Sequence, residues 1–424
     1  MNILAVNPWI YDFAAYDFWL KPYGFLILLE TLKNKGHKIN FIDCLQQKTT
    51  TDSGKGRLMS EIIPKPKILK DTPRDFRRYG ITPDTFKELI KQKQPDLILL
   101  TSGMSYWYPG VKEAANILKK QFSDTPIILG GVYATLCQEH AKKNIAADMV
   151  VANSELNLLS KYNLIGEDDV KTLFHVLPNY QNFYSSINYA VFRTSWGCPF
   201  DCSYCAIKKL TPSFRQIPIT EIINFIIKHH QIGVTNFALY DDAFLCQPEH
   251  AKKILRQIKA LKLNIKIHTP NALHLRFLDD ELAALIKNTG FIQPRFGLET
   301  LNPNLQQQWQ SKATNKDLIR GLELLKQNGF NNGDIIIYLL LGYPKQNLDN
   351  LRKNIRFLHD LGVRTVLSEF SPVPKTKLYD DCPQAIKDEP LLHNNSIFPL
   401  LDKQQTKKAL SVKKELRQLN KQFD

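Results

Sequence analysis

Continuous apolar runs alternate with amphipathic stretches through the first 150 residues. The pattern predicts strands at 2–7, 38–43, 96–101, 126–129 and 148–151, with helices over 22–35, 83–93, 109–122 and 132–142. Strands that are apolar on both faces and separated by helices belong to a parallel sheet covered on both sides. Residues 1–152 therefore read as a doubly wound, Rossmann-like module. The stretch from about 44 to 82, rich in Lys, Pro and Asp, reads as a long loop. Residues 153–188 are polar and irregular and read as a linker.

A second alternation begins at 190. Strands are predicted at 190–195, 235–240, 264–268, 293–298, 334–341 and 363–369, and helices at 218–231, 248–261, 279–288, 314–328 and 347–361. Pro218 and Pro248 stand at or near helix starts. Gly233, Gly290, Gly329 and Gly362 follow helix ends. Six β–α units are fewer than the eight of a closed barrel, so residues 189–376 read as a partial (β/α)6 TIM-like barrel and the fold class as α/β. The remaining 377–424 form a basic extension, helical near 405–420.

A chain of 424 residues with an ordinary apolar fraction supports two or three domains. It shows neither a run long enough for a membrane helix nor the basic start and apolar core of a signal peptide. The seven Cys do not look like a disulfide framework, and a reducing cytoplasm is expected. The net charge of +15 raises the question of an acidic partner such as RNA. The basic residues are dispersed, however, with mild clusters only at Arg74–Arg78 and from Lys403 to Lys421, so a small-molecule substrate is favoured over nucleic acid.

The most specific chemistry lies directly after the strand at 190–195. Cys198, Cys202 and Cys205 are spaced C-x₃-C-x₂-C in a loop that Gly197 and Pro199 keep from being helical. Thiolates suit iron–sulfur clusters and zinc. A cuboidal cluster is usually held by four Cys, so three would leave one iron open. A structural zinc site wants four ligands, and no His or Cys follows Cys205 until His229.

This loop, and the order of turns after it, resembles the radical S-adenosylmethionine (radical SAM) enzymes. The resemblance implies that Cys198, Cys202 and Cys205 hold a 4Fe–4S cluster whose fourth iron chelates S-adenosylmethionine, with Tyr204 near the adenine. It implies that Asp241 and Asp242, in the turn Tyr240-Asp241-Asp242-Ala243-Phe244, receive the amino group. Asn271 lies in Pro270-Asn271-Ala272-Leu273, where relatives often read P-N-G-L. Glu299 resembles the acid that hydrogen-bonds ribose, and Leu341-Gly342 the adenine-contacting edge. Ser371 opens Ser371-Pro372-Val373-Pro374-Lys375-Thr376, similar to an S-P-x-P-G-T turn with Lys375 in place of Gly. The implied chemistry is reductive cleavage to methionine and a 5′-deoxyadenosyl radical, fed by a one-electron donor such as flavodoxin or ferredoxin. No residue is assigned to hydrogen donation.

The N-terminal module resembles the cobalamin-binding (B12-binding) domain that precedes the radical domain in one branch of the family. Ser102-Gly103-Met104 loosely matches its S-x-L motif and Gly130-Gly131 its GG; the D-x-H-x-x-G motif is absent, since neither His37 nor His140 lies in that context. These residues favour a module empty of cobalamin over one that binds it without a His ligand. Aromatic residues after the first strand (Trp9, Tyr11, Phe13, Tyr16, Phe18, Trp19) and after the third (Tyr106-Trp107-Tyr108) read as interdomain packing or as the wall of a pocket. Three functions stay in view: a radical SAM enzyme on a small molecule, with cobalamin-dependent methylation as one form; an RNA- or protein-modifying relative; and a zinc-stabilised binding protein. Modification by methylthiolation needs a second cluster, and Cys44, Cys137, Cys246 and Cys382 are too scattered to supply one.

Overall fold

The computed structural model describes residues 1–310 and 312–424, which divide into two compact units. The first comprises 1–188, 209–212 and 383–397; the second comprises 189–208, 213–382 and 398–424.

The first unit is built on five parallel strands: β1 (Asn2–Asn7), β2 (Lys38–Asp43), β3 (Leu97–Leu100), β4 (Ile127–Leu129) and β5 (Met149–Val150). Their order is β5-β4-β3-β1-β2. Ile3 of β1 faces Ile39 on one side and Leu97 on the other, so β1 is central and its side chains from Ile3 to Val6 are fully buried. The order reverses between β1 and β3, which places the ligand crevice beyond the carboxyl ends of those strands. The helix α1 (Tyr23–Asn34) follows β1, α2 (Pro83–Ile90) precedes β3, and α3 (Tyr108–Gln121) joins β3 to β4. The single helix predicted over 132–142 is two, α4 (Val132–Leu136) and α5 (Gln138–Asn144), broken at Cys137 with φ −125° and ψ 44°.

Three expectations are corrected here. Residues 44–82 are not one long loop: Gln47–Thr50 pairs with Gly56–Leu58, and Arg77–Tyr79 lies between Ile10–Asp12 and Ser60–Ile62 in an antiparallel sheet. The aromatic residues after β1 pack within the first unit, Tyr11, Phe13 and Trp19 against this insertion and Trp9 against α2. Trp9 is buried edge-on to Phe86, Phe13 and Tyr11 meet Phe76, and the Trp19 indole donates to the Ser53 carbonyl at 2.8 Å. Residues 153–188 are largely helical and packed on the sheet. Glu30 of α1 accepts from the Asn179 backbone at 3.2 Å and the Asn182 amide at 3.0 Å, and Tyr184 donates to Asp43 at 2.7 Å.

Residues 383–397 return to the same unit. Ser105 and His393 share a 2.8 Å hydrogen bond, the other His393 nitrogen meets the Ile386 carbonyl at 2.9 Å, and Asn394 donates to Asp12 at 2.7 Å. The basic extension is thus divided between the two units.

The second unit holds six parallel strands in two runs of three: β6 (Ala190–Phe192), β7 (Asn236–Leu239) and β8 (Lys266–His268), then β9 (Arg295–Glu299), β10 (Ile336–Leu341) and β11 (Arg364–Glu369). Single bridges Ile267–Phe291 and Leu273–Phe296 continue the curve between the runs. Helices α6 (Ile219–Gln231), α7 (Pro248–Leu261), α8 (Asp280–Asn288), α9 (Pro303–Gln308), α10 (Asn315–Gln327) and α11 (Leu348–Asp360) connect the strands, and α12 (Lys403–Asn420) follows. Side-chain caps fix several starts: Asp279 on Leu282, Thr314 on Asp317 and Asn347 on Asp349. α12 packs on α11 through Lys408–Asp349 and Arg356–Glu415. Among the described residues no helix is long and apolar enough to cross a membrane.

Candidate functional site

The thiol loop hangs from a short ribbon in which Ser195–Trp196 pairs antiparallel with Arg215–Gln216. At its neck Gly197 has φ 78°, and a Cβ there would stand 2.7 Å from the Ser213 carbonyl oxygen. Only glycine fits both conditions. Cys198 is half-buried, Cys202 buried and Cys205 exposed; all three are free thiols. The Cys205 N–H donates to the Cys202 carbonyl at 2.9 Å, closing the inner turn. Burial pushes the Cys198 thiol up to about 11 and also raises Cys202, so a thiolate forms here only with a compensating cation or metal. Among the described residues no set of three or more His, Cys, Asp or Glu side chains converges to hold a metal ion. A structural zinc site takes four donors, and this loop offers three thiols; a cuboidal cluster binds one thiolate per iron.

The two carboxylates after β7 are engaged within the protein. Asp241 is buried and accepts from the Thr194 N–H at 2.7 Å, the Thr194 hydroxyl at 2.5 Å and the Ser195 hydroxyl at 2.6 Å. Burial outweighs these donors and raises its pKa to about 6. Asp242 pairs with Arg193 at 2.6 Å and accepts from the Gly197 N–H at 3.1 Å. The Arg193 guanidinium also lies 4.4 Å from the Trp196 ring centre. Asn271, after β8, donates to the Tyr240 carbonyl at 2.9 Å and pins the acidic turn from the next strand.

Glu299 ends β9 with φ 69°, a conformation that strains any residue but glycine. Its buried carboxylate lies 3.4 Å from the Lys312 ammonium. Burial raises the Glu299 pKa against the pull of Lys312. At Lys312 burial favours the neutral amine, but Glu299 and the three thiols outweigh it and hold the ammonium above its usual range. Sequence reasoning passed over Lys312, which has no motif around it.

It also passed over Trp309. The Ser203 N–H donates to the Trp309 carbonyl at 3.1 Å and the Cys202 thiol to the Gln310 carbonyl at 3.5 Å, so the segment after α9 embraces the thiol loop. The Trp309 ring meets Tyr204 edge-on at 5.7 Å and Tyr343 at 4.8 Å, which joins Tyr204 to the Leu341-Gly342 edge. Gly342, with φ 92°, donates to the Gln346 side chain at 2.6 Å. Ser371 is half-buried beyond β11. Cys198, Cys202, Cys205, Tyr204, Asp241, Asp242, Asn271 and Glu299 thus form one connected region.

At the carboxyl edge of the first sheet, the Ser102 hydroxyl donates to the Gly130 carbonyl at 2.6 Å and accepts from the Ala134 N–H at 3.2 Å. Gly131 has φ 95° and approaches Ser102 so closely that a Cβ would lie 2.3 Å from its carbonyl oxygen. Gly130 instead borders open space, the nearest atom being 3.9 Å from an added Cβ. This cradle fits a ligand laid on backbone. His140 is held by Tyr133 at 2.6 Å, and His37 precedes β2 at the opposite edge, so neither offers a cobalt ligand from this crevice.

Residues 193–358 match the model of the radical SAM superfamily, and residues 74–158 match that of the B12-binding domain. An uncharacterised methyltransferase of Pyrococcus horikoshii is 22% identical over 330 residues, 69% of this chain and 70% of that one. The radical S-adenosylmethionine methyltransferase TsrM of Kitasatospora setae superposes with a TM-score of 0.65 at 16% identity, covering 89% of this chain and 74% of that one. The cobalamin-dependent radical enzyme OxsB superposes with a TM-score of 0.56 at 15% identity, covering 94% of this chain and 56% of that one. The B12-binding match weighs against the expectation of an empty module: despite the missing D-x-H-x-x-G, it supports cobalamin more strongly than the motifs alone do. The chain thus carries a radical SAM domain, with a B12-binding domain ahead of it.

Proposed function

We propose that this chain is a cobalamin-dependent methyltransferase of the radical SAM type, acting on a small molecule. The observation that carries the reading is a three-thiol loop in the same chain as a B12-binding domain. Cys198, Cys202 and Cys205 would hold the 4Fe–4S cluster, and the Ser102 and Gly130-Gly131 cradle would receive the corrinoid. When bound, the cluster supplies an electron for cleaving S-adenosylmethionine and the corrinoid supplies a methyl carrier. The chain's own work is to fix the thiol loop through Gly197 and Asp242 and to wall it with Trp309.

Calorimetry of the anaerobically reconstituted chain with hydroxocobalamin tests the reading. Stoichiometric binding and a red protein are expected, followed by S-adenosylhomocysteine formation under reducing conditions. A chain that retains no corrinoid absorbance after desalting and releases no heat overturns it.

A further inference from the structure

Gly297 has no side chain, and Lys312 uses the space. A Cβ at 297 would stand 2.4 Å from Lys312 Cε, 2.7 Å from Nζ and 2.8 Å from the Glu299 carboxylate. The ammonium therefore reaches Glu299 across the space that Gly297 leaves open in β9. The Lys312 side chain is mostly buried, with 18% of its surface exposed, and Glu299 is more deeply buried still. The neighbouring chain is tied to the thiol loop by Gln310 on Cys202 and Trp309 on Ser203. A buried cation costs free energy unless a carboxylate or other anion faces it. Glu299 neutralises the charge in part, and the thiol loop lies beside the same segment through Gln310 and Trp309.

We infer that Lys312, held in the Gly297 slot by Glu299, is a positioning cation that raises the reduction potential of the iron–sulfur cluster on Cys198, Cys202 and Cys205. The inference rests on the cluster reading above. One electron from an external reductant makes the cluster more negative by one charge, and a nearby ammonium favours that state while a nearby carboxylate opposes it. The buried setting strengthens both effects because water screens them little.

Dye-coupled titration with dithionite, followed by electron paramagnetic resonance, reads the effect on the reconstituted protein. K312M is expected to shift the reduced-to-oxidised ratio at fixed potential about tenfold toward oxidised, which is a fall of 59 mV for a one-electron couple. E299Q is expected to shift it the opposite way, and K312R to retain the parent value. G297A changes no charge but fills the slot, so it should move the potential in the same direction as K312M. Iron content is measured in every variant. If the parent protein takes up no cluster, the cluster reading fails. If all variants carry full iron and K312M, E299Q and G297A titrate like the parent, the role of Lys312 is wrong. If K312M and E299Q shift in the same direction, the charges act through structure alone and the inference is likewise overturned.

Discussion

Asp242 Oδ2 accepts from the Gly197 backbone N–H at 3.1 Å while pairing with Arg193 at 2.6 Å. The acidic turn after β7 is therefore fastened to the neck of the thiol loop. Replacing Asp242 with Asn keeps the shape but removes the charge opposite a buried guanidinium. D242N is expected to lose about 3 kcal/mol of stability and to retain less iron per chain after reconstitution. Urea unfolding and iron analysis check both; unchanged iron would detach the Asp242 contact from the loop's function.

Asp241 makes a pH-dependent contribution of a definite sign. Its folded pKa is raised to about 6 by burial, above the ordinary 3.8, so the folded state binds the proton more tightly than the unfolded chain. The group's stabilisation is full below pH 3.8 and is lost as pH rises through 6. Relative to D241N, the parent should lose stability between pH 4 and 6 with a slope of at most about 1.4 kcal/mol per pH unit. Urea midpoints of the two proteins across that window decide it, and parallel curves would remove the claim.

Lys375 has φ 68° in the turn after β11. This is the position where the similar S-P-x-P-G-T turn carries Gly. A lysine in the left-handed region bears about 1 kcal/mol of strain that glycine avoids. K375G should therefore raise the melting temperature, whereas a neutral or lower value would show that the Lys375 side chain compensates.

Ser102 links β3 to the turn after β4 through one donated and one accepted hydrogen bond. S102A should cost about 1 kcal/mol, while G131A, with a Cβ 2.3 Å from the Ser102 carbonyl oxygen, should cost more. Both are expected to weaken hydroxocobalamin binding in calorimetry and to leave the cluster's iron content unchanged. Loss of iron in either variant would contradict this separation.

Strands buried on both faces announced themselves. Leu97–Leu100 and Ile336–Leu341 are continuous apolar runs that permit few alternatives. The insertion was illegible because Gln47–Thr50 and Ser60–Ile62 are mostly exposed and carry no apolar alternation. The break at Cys137 carries no Pro or Gly to mark it. Among the site residues, the thiol spacing was local and readable, as were the turns at strand ends. Lys312 was not, because its role depends on an empty Cβ position at Gly297, on another element. Asp241 and Asp242 stand out as an acidic pair at a strand end, but their contacts with Thr194, Ser195, Arg193 and Gly197 follow only from the fold.

A cluster held by three thiolates would keep one iron open to S-adenosylmethionine, and electron paramagnetic resonance of the reduced, anaerobically reconstituted chain probes that iron directly. About four irons per chain are expected, with a single reduced-cluster signal that changes when S-adenosylmethionine is added. A colourless protein holding zinc, or a cluster signal that S-adenosylmethionine leaves unaltered, would contradict this.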